Sequence, residues 1–220
     1  MLNGGFKSFE TDVRFVSDPT GGYFEVGHDQ ADSRGVRLDE FLTISRPYEV
    51  KKIWLDVKNI TDRNLPAVEN ELARLVSLYG IREISIVESG TISPSFANLA
   101  GRGFHTSYYL PTQRIKGLLA GHSTDSLWAE ADRIRQQIDL QAVSAVSFDL
   151  DIYPFVVDYL QPLVPDSLEY HVWNSVKLWR WSALEELEQS DYFNDPRVET
   201  ILVGYWGPGS LAWLIARERQ

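Results

Sequence analysis

The stretch that decides the fold is Ser8-Phe-Glu-Thr-Asp-Val-Arg-Phe15. Glu10 and Asp12 are two residues apart, so an extended strand turns both carboxylates to one face and Phe9, Thr11 and Val13 to the other. Trp54-Leu-Asp-Val-Lys58 repeats the pattern and puts Asp56 and Lys58 on a shared face. On an antiparallel sheet such alternation means only that one face is solvated. A parallel sheet is covered on both faces, so charges on two of its central strands need another explanation. The fold class therefore decides what these acids mean.

Outward from these stretches, β-rich runs alternate with helical patterns, the signature of βα units. Tyr23–His28 follows the turn-forming cluster Asp18-Pro-Thr-Gly-Gly22 and reads as a hairpin partner of the first strand. Further strands are expected at Lys52–Lys58, Glu83–Val87, Thr106–Leu110, Ala142–Asp149, Glu169–Val176 and Glu199–Tyr205. Leu65, Val68, Leu72, Leu75, Val76 and Tyr79 recur at helical spacing, with Gly80 as the stop. Leu127, Ala131, Ile134 and Ile138 form a second apolar stripe. Ser182-Ala-Leu-Glu185 is a capping box, and Ser210–Arg219 reads as a C-terminal helix. Without the hairpin strand this gives seven βα-type strands, one fewer than a closed (β/α) barrel requires, so either one is missing or the sheet is open.

Length and composition narrow the function. No linker, repeat or low-complexity stretch interrupts the 220 residues, so residues 1–220 are expected to form one domain. A formal net charge of −10 suits the chain poorly to the counterion release that nucleic-acid binding demands. The absence of cysteine excludes disulfides, thiolate zinc sites and a cysteine nucleophile. No apolar run has the roughly 20 residues of a membrane span, and Met1-Leu-Asn-Gly-Gly5 lacks the features of a signal peptide. The expected setting is cytoplasmic, with no integral membrane segment.

The acids carry the chemistry. If their strands are parallel neighbours, Glu10, Asp12 and Asp56 converge at one end of a barrel, and three such carboxylates repel one another unless a cation balances them. Hard oxygen donors suit Mg²⁺ or Ca²⁺ rather than zinc. Between the two strands, Gly27-His28-Asp29 offers a base followed by an orienting acid. A phosphodiester anion repels nucleophiles, so a metal and Lys58 would neutralise its growing charge, while an imidazole takes the attacking proton.

At these residues the sequence resembles the glycerophosphodiester phosphodiesterase family and its wider relatives, the phosphatidylinositol phospholipase C-like barrels. The family pattern is a strand with Glu-x-Asp-Val, a hairpin ending in His-Asp, and a strand ending in acid-x-Lys. This chain has Glu10-Thr-Asp12-Val13, His28-Asp29 and Asp56-Val-Lys58 in that order, and Val172-Trp-Asn-Ser-Val176 is similar to the family's late Trp-Thr-Val-Asn strand. The resemblance implies a TIM-type (β/α) barrel of the phospholipase C-like phosphodiesterase kind, with a place in lipid metabolism. It implies Glu10, Asp12 and Asp56 as ligands of Mg²⁺ or Ca²⁺, His28 as a catalytic imidazole, Lys58 as the phosphate contact, and Trp173 in the substrate cavity. The third acid is usually Glu in these phosphodiesterases; Asp is closer to the sphingomyelinase D-like branch.

The chain departs from the family at its start. Members open with a strand ending in His-Arg-Gly, whose histidine is the second catalytic imidazole; only seven residues precede the Glu-x-Asp strand here, and none is His. The barrel is thus expected to be incomplete, lacking its first βα unit, and the exposed edges would invite pairing into a homo-oligomer. Among the other histidines, His105 starts its strand at the end away from catalysis, His171 lies a layer below Trp173, and His122 follows Gly121 in a loop. Glu88, Asp149 and Asp151 read equally well as cavity groups or solvated acids. Trp206-Gly-Pro-Gly209 reads as a plain turn, and most of the late tryptophans as packing. The leading expectation is a metal-dependent phosphodiester hydrolase acting on a glycerophosphodiester or lysophospholipid-like substrate. The alternatives are a non-catalytic relative binding a phosphorylated or sugar ligand or a protein partner, and a barrel enzyme of another class using the same metal.

Overall fold

A computed structural model describes residues 7–31, 33, 35–91, 93–177, 187–205 and 211–216. The strands are β1 (Ser8–Val16), β2 (Tyr23–Val26), β3 (Lys52–Val57), β4 (Ser85–Ser89), β5 (His105–Tyr109), β6 (Ala145–Asp149), β7 (Glu169–Lys177), β8 (Val198–Tyr205) and β9 (Leu211–Ala216). They form one sheet in the order β2-β1-β3-β4-β5-β6-β7-β8-β9. From β1 through β8, leaving β2 aside, every neighbouring pair is parallel. β2 is the antiparallel hairpin partner of β1.

The expected C-terminal helix is corrected. Leu211–Ala216 is a strand, antiparallel to β8 over six residue pairs, and it also meets β1 at the single pair Phe9–Trp213. Seven parallel strands curl most of the way round, and β9 takes the interval that they leave open. The result is a mixed α/β fold with a curled sheet, an incomplete TIM-type barrel. The run Leu-Ala-Trp-Leu-Ile-Ala is too short for periodicity to separate strand from helix, and the unpaired edges of β1 and β8 supply the hydrogen-bond partners that favour a strand.

The outer layer is helical: α1 (Leu38–Ser45), α2 (Leu65–Tyr79), α3 (Ala97–Gly101), α4 (Thr112–Ala120) and α5 (Thr124–Gln141). In α2, Pro66 presets the first turn, Leu65, Val68, Leu72 and Leu75 are buried, and Gly80 ends the helix at φ 66°, a left-handed conformation that glycine adopts without steric cost. The stripe Leu127, Ala131, Ile134 and Ile138 is buried along α5. These helices cover Phe9, Val13, Ile53, Leu55, Val57, Val146 and Phe148, which join the main hydrophobic core. The face of β1 that carries Phe9 and Val13 is therefore dry, and its acids point to the barrel interior. On the interior face, among the described residues, Trp54, Ile86 and Leu202 form a small apolar cluster with Trp173 against it. The capping box at 182–185 and the turn at 206–209 lie outside the described residues.

Candidate active site

The site is set by strand register. Parallel pairing aligns Asp12 with Asp56 and Asp56 with Glu88, so three adjacent strands bring carboxylates to one level, with Glu10 one layer below. Glu10, Asp12 and Asp56 each offer an oxygen, and these atoms lie within 4.8 Å of one another. Lys58 follows Asp56 by two residues; its Nζ is 2.8 Å from Asp12 Oδ1 and ion-paired with Asp56 Oδ2. The two expected stretches therefore meet, and the solvated-face reading of their acids is excluded by the burial of Glu10 and Asp56.

The charges do not balance. Four carboxylates, with Glu88 wholly buried, face one ammonium. Burial, followed by repulsion from Asp12 and Asp56, holds the Glu10 carboxyl well above its ordinary range. Burial raises Asp56 despite the attraction of Lys58. Glu88 is raised further, by burial first and then by Asp56 and Glu10. Burial would lower the Lys58 ammonium, but Asp56 and Asp12 overcome it and hold the proton above the usual lysine range. Glu10 Oε1 and both Glu88 oxygens are buried with no hydrogen-bond partner. Orphaned carboxylate oxygens in a cluster with excess negative charge fit a hard divalent cation held by Glu10, Asp12 and Asp56.

Above the cluster opens a cleft of about 530 Å³ lined by His28, Asp56, Val57, Lys58, Gly90, Thr91, Tyr109, Asp149 and Trp173. The hairpin brings His28 there: β2 runs back along β1, and the Gly27 N–H donates to the Asp12 carbonyl at 2.9 Å, so the next side chain arrives over the acids. Gly27 has φ 149°, a conformation that would strain a residue with a Cβ. His28 is exposed, with Nδ1 3.9 Å from Asp29 Oδ2. Trp173 packs edge-on against Trp54 at 5.5 Å between ring centroids. Asp149 accepts from the Tyr109 hydroxyl at 3.1 Å and from Lys116 at 3.5 Å, while Asp151 is exposed and paired with Lys116 at 2.7 Å. Burial pushes the Tyr109 phenol up to about 12, so it remains a donor.

Of the two readings left open for Glu88, its burial selects the interior one; β4 begins and ends two residues later than expected, with Arg82–Ile84 as a 3-10 turn before it. Tyr109 escapes the sequence reading altogether. Tyr109 follows Ser107 by two along β5, and that spacing is the signal that would have found it. None of the other histidines lines the cleft: His105 and His171 are near the start of their strands, and His122 is in the exposed turn between α4 and α5.

No protein-family model matches the sequence, and no curated protein matches it. In structure the chain is similar to a glycerophosphodiester phosphodiesterase from Parabacteroides distasonis, with a TM-score of 0.59, 13% identity, and coverage of 92% of this chain and 81% of that one. It is similar also to one from Agrobacterium tumefaciens, with a TM-score of 0.52, 16% identity, and coverage of 92% and 86%. At these identities the likeness is one of fold.

Proposed function

We propose that the protein is a metal-dependent phosphodiester hydrolase acting on a glycerophosphodiester or lysophospholipid-like substrate. The observation that carries this reading is the convergence of Glu10, Asp12 and Asp56 within 4.8 Å beneath a cleft that also holds Lys58 and His28. Glu10, Asp12 and Asp56 would hold Mg²⁺ or Ca²⁺. The cation, when bound, supplies positive charge to the non-bridging oxygens of the phosphate. Lys58 has three N–H donors, two of them engaged with Asp12 and Asp56, and the third is available to a phosphate oxygen. His28 takes the proton from the attacking hydroxyl or water, and Asp29 orients the ring. Trp173 presents an aromatic wall to the substrate. The fold shared with known phosphodiesterases supports the reaction class.

The test combines calorimetric titration with hydrolysis of glycerophosphodiesters. Wild-type protein should bind one Mg²⁺ or Ca²⁺ and turn over substrate. Asp56→Asn should lose both, whereas His28→Ala should keep the metal and lose about 10²–10⁴-fold in rate, the usual contribution of a general base. A chain indifferent to both metals and to chelator would refute the proposal.

One observation favours a second reading, a non-catalytic relative that binds a phosphorylated or sugar ligand. His28 is the only histidine lining the cleft among the described residues, so a pair of imidazoles for acid and base is not assembled there. Saturable binding of glycerophosphate with no turnover would select this reading.

A further inference from the structure

At the opposite end of the barrel, His105, Glu169 and His171 each offer a ligand atom, all within 4.8 Å of one another. His105 and Glu169 are the first residues of β5 and β7, and β6 runs between those strands. Val146 and Phe148 belong to the outer core, so alternation leaves Ala145 on the interior face, where its methyl group lets the side chains from β5 and β7 meet above it.

We infer that His105 Nε2, His171 Nε2 and Glu169 Oε2 form a second metal site, for Zn²⁺ or a similar borderline transition-metal ion, on the floor of the barrel. The distances support it. His105 Nε2 is 3.1 Å and His171 Nε2 3.8 Å from Glu169 Oε2. Ligand atoms about 2.0–2.1 Å from a tetrahedral zinc are separated by about 3.3 Å, between these two values. Imidazoles sharing such an ion have ring centroids about 5 Å apart; here they are 5.4 Å apart.

The orientation supports it independently. His105 Nε2 and Glu169 Oε2 are at ion-pair distance, 3.1 Å, without the alignment of a regular hydrogen bond. His171 is fully buried, and both of its ring nitrogens lack a hydrogen-bond partner. A buried imidazole in that state is costly unless something absent from the protein satisfies it. Trp54 packs against its ring at 5.3 Å between centroids and restrains its orientation.

Two imidazoles and one carboxylate are a borderline-soft donor set, whereas the three carboxylates of the mouth are hard. The two ends of the barrel would therefore select different metals.

Co²⁺ is the probe, because tetrahedral Co²⁺ absorbs visibly and reports its ligands. Chelator-stripped protein is titrated with Co²⁺ in excess Mg²⁺, which occupies the carboxylate site. Wild type should bind one equivalent with tetrahedral bands that Zn²⁺ abolishes, and Zn²⁺ should raise its Tm. His105→Ala and Glu169→Gln, at partly exposed positions, should each weaken Co²⁺ binding by more than the ~10–100-fold cost of losing an outer-shell partner. Asp56→Asn should leave the bands intact, which separates this site from that of the proposed hydrolase. Absence of tetrahedral bands in wild type would overturn the inference. So would bands that persist in both floor variants, or bands lost only in Asp56→Asn.

Discussion

Glu88 is wholly buried beside Asp56, and its carboxyl is held well above the ordinary range by burial and by its neighbours. An acid whose folded pKa is raised binds its proton more tightly in the folded state than in the unfolded one. Its contribution to stability is full below the unfolded value of about 4.3 and is lost as pH rises through the folded value. In chelator, Glu88→Gln should therefore reduce the loss of urea midpoint between pH 5 and pH 8. Some slope should remain from Glu10 and Asp56, which are raised by the same causes. Identical pH profiles for variant and wild type would contradict this. The convergence of Glu10, Asp12, Asp56 and Lys58 was legible, because a spacing of two fixes the face of a strand. The burial of Glu88 was not, since it depends on where β4 starts, and the run Glu83–Val87 suggests a start two residues too early. The floor cluster was also hidden: His105 and His171 belong to different strands, and only the curl of the sheet brings them together.

At the scale of elements, α2 and β9 differ in how much of their structure is local. The stripe, the proline near the start and the terminal glycine of α2 agree with one another, so its existence and limits were readable from sequence. Leu72 at its centre is fully buried, and Leu72→Ala should cost about 2–5 kcal/mol, measured by denaturant unfolding. A smaller loss would mean that α2 packs less tightly on the sheet than described. β9 has no such internal signal. The alternation of strand and helix along the chain favours a helix after β8, yet the open interval between β8 and β1 makes a strand the better solution. Tertiary pairing prevails there over local pattern.

For the whole molecule, patterning indicated parallel βα units and the family resemblance implied the barrel, while the means of closing the ring was not legible, because no local pattern encodes a long-range pairing. The expected exposed edges are covered in the structure by β9. A chain ending at Tyr205 should expose more of the edges of β1 and β8, and it should associate to a higher degree than the full chain in size-exclusion chromatography. A monomeric, folded truncation would show that the curl holds without its last strand. The Phe9–Trp213 pair has a further consequence, in time rather than in space. These partners are separated by nearly the whole chain, the most expensive kind of contact to form. During synthesis β1 emerges long before β9, and the part of its edge that β2 leaves open waits unpaired until β9 follows. For that interval the open edge is a template on which another copy of the chain could pair.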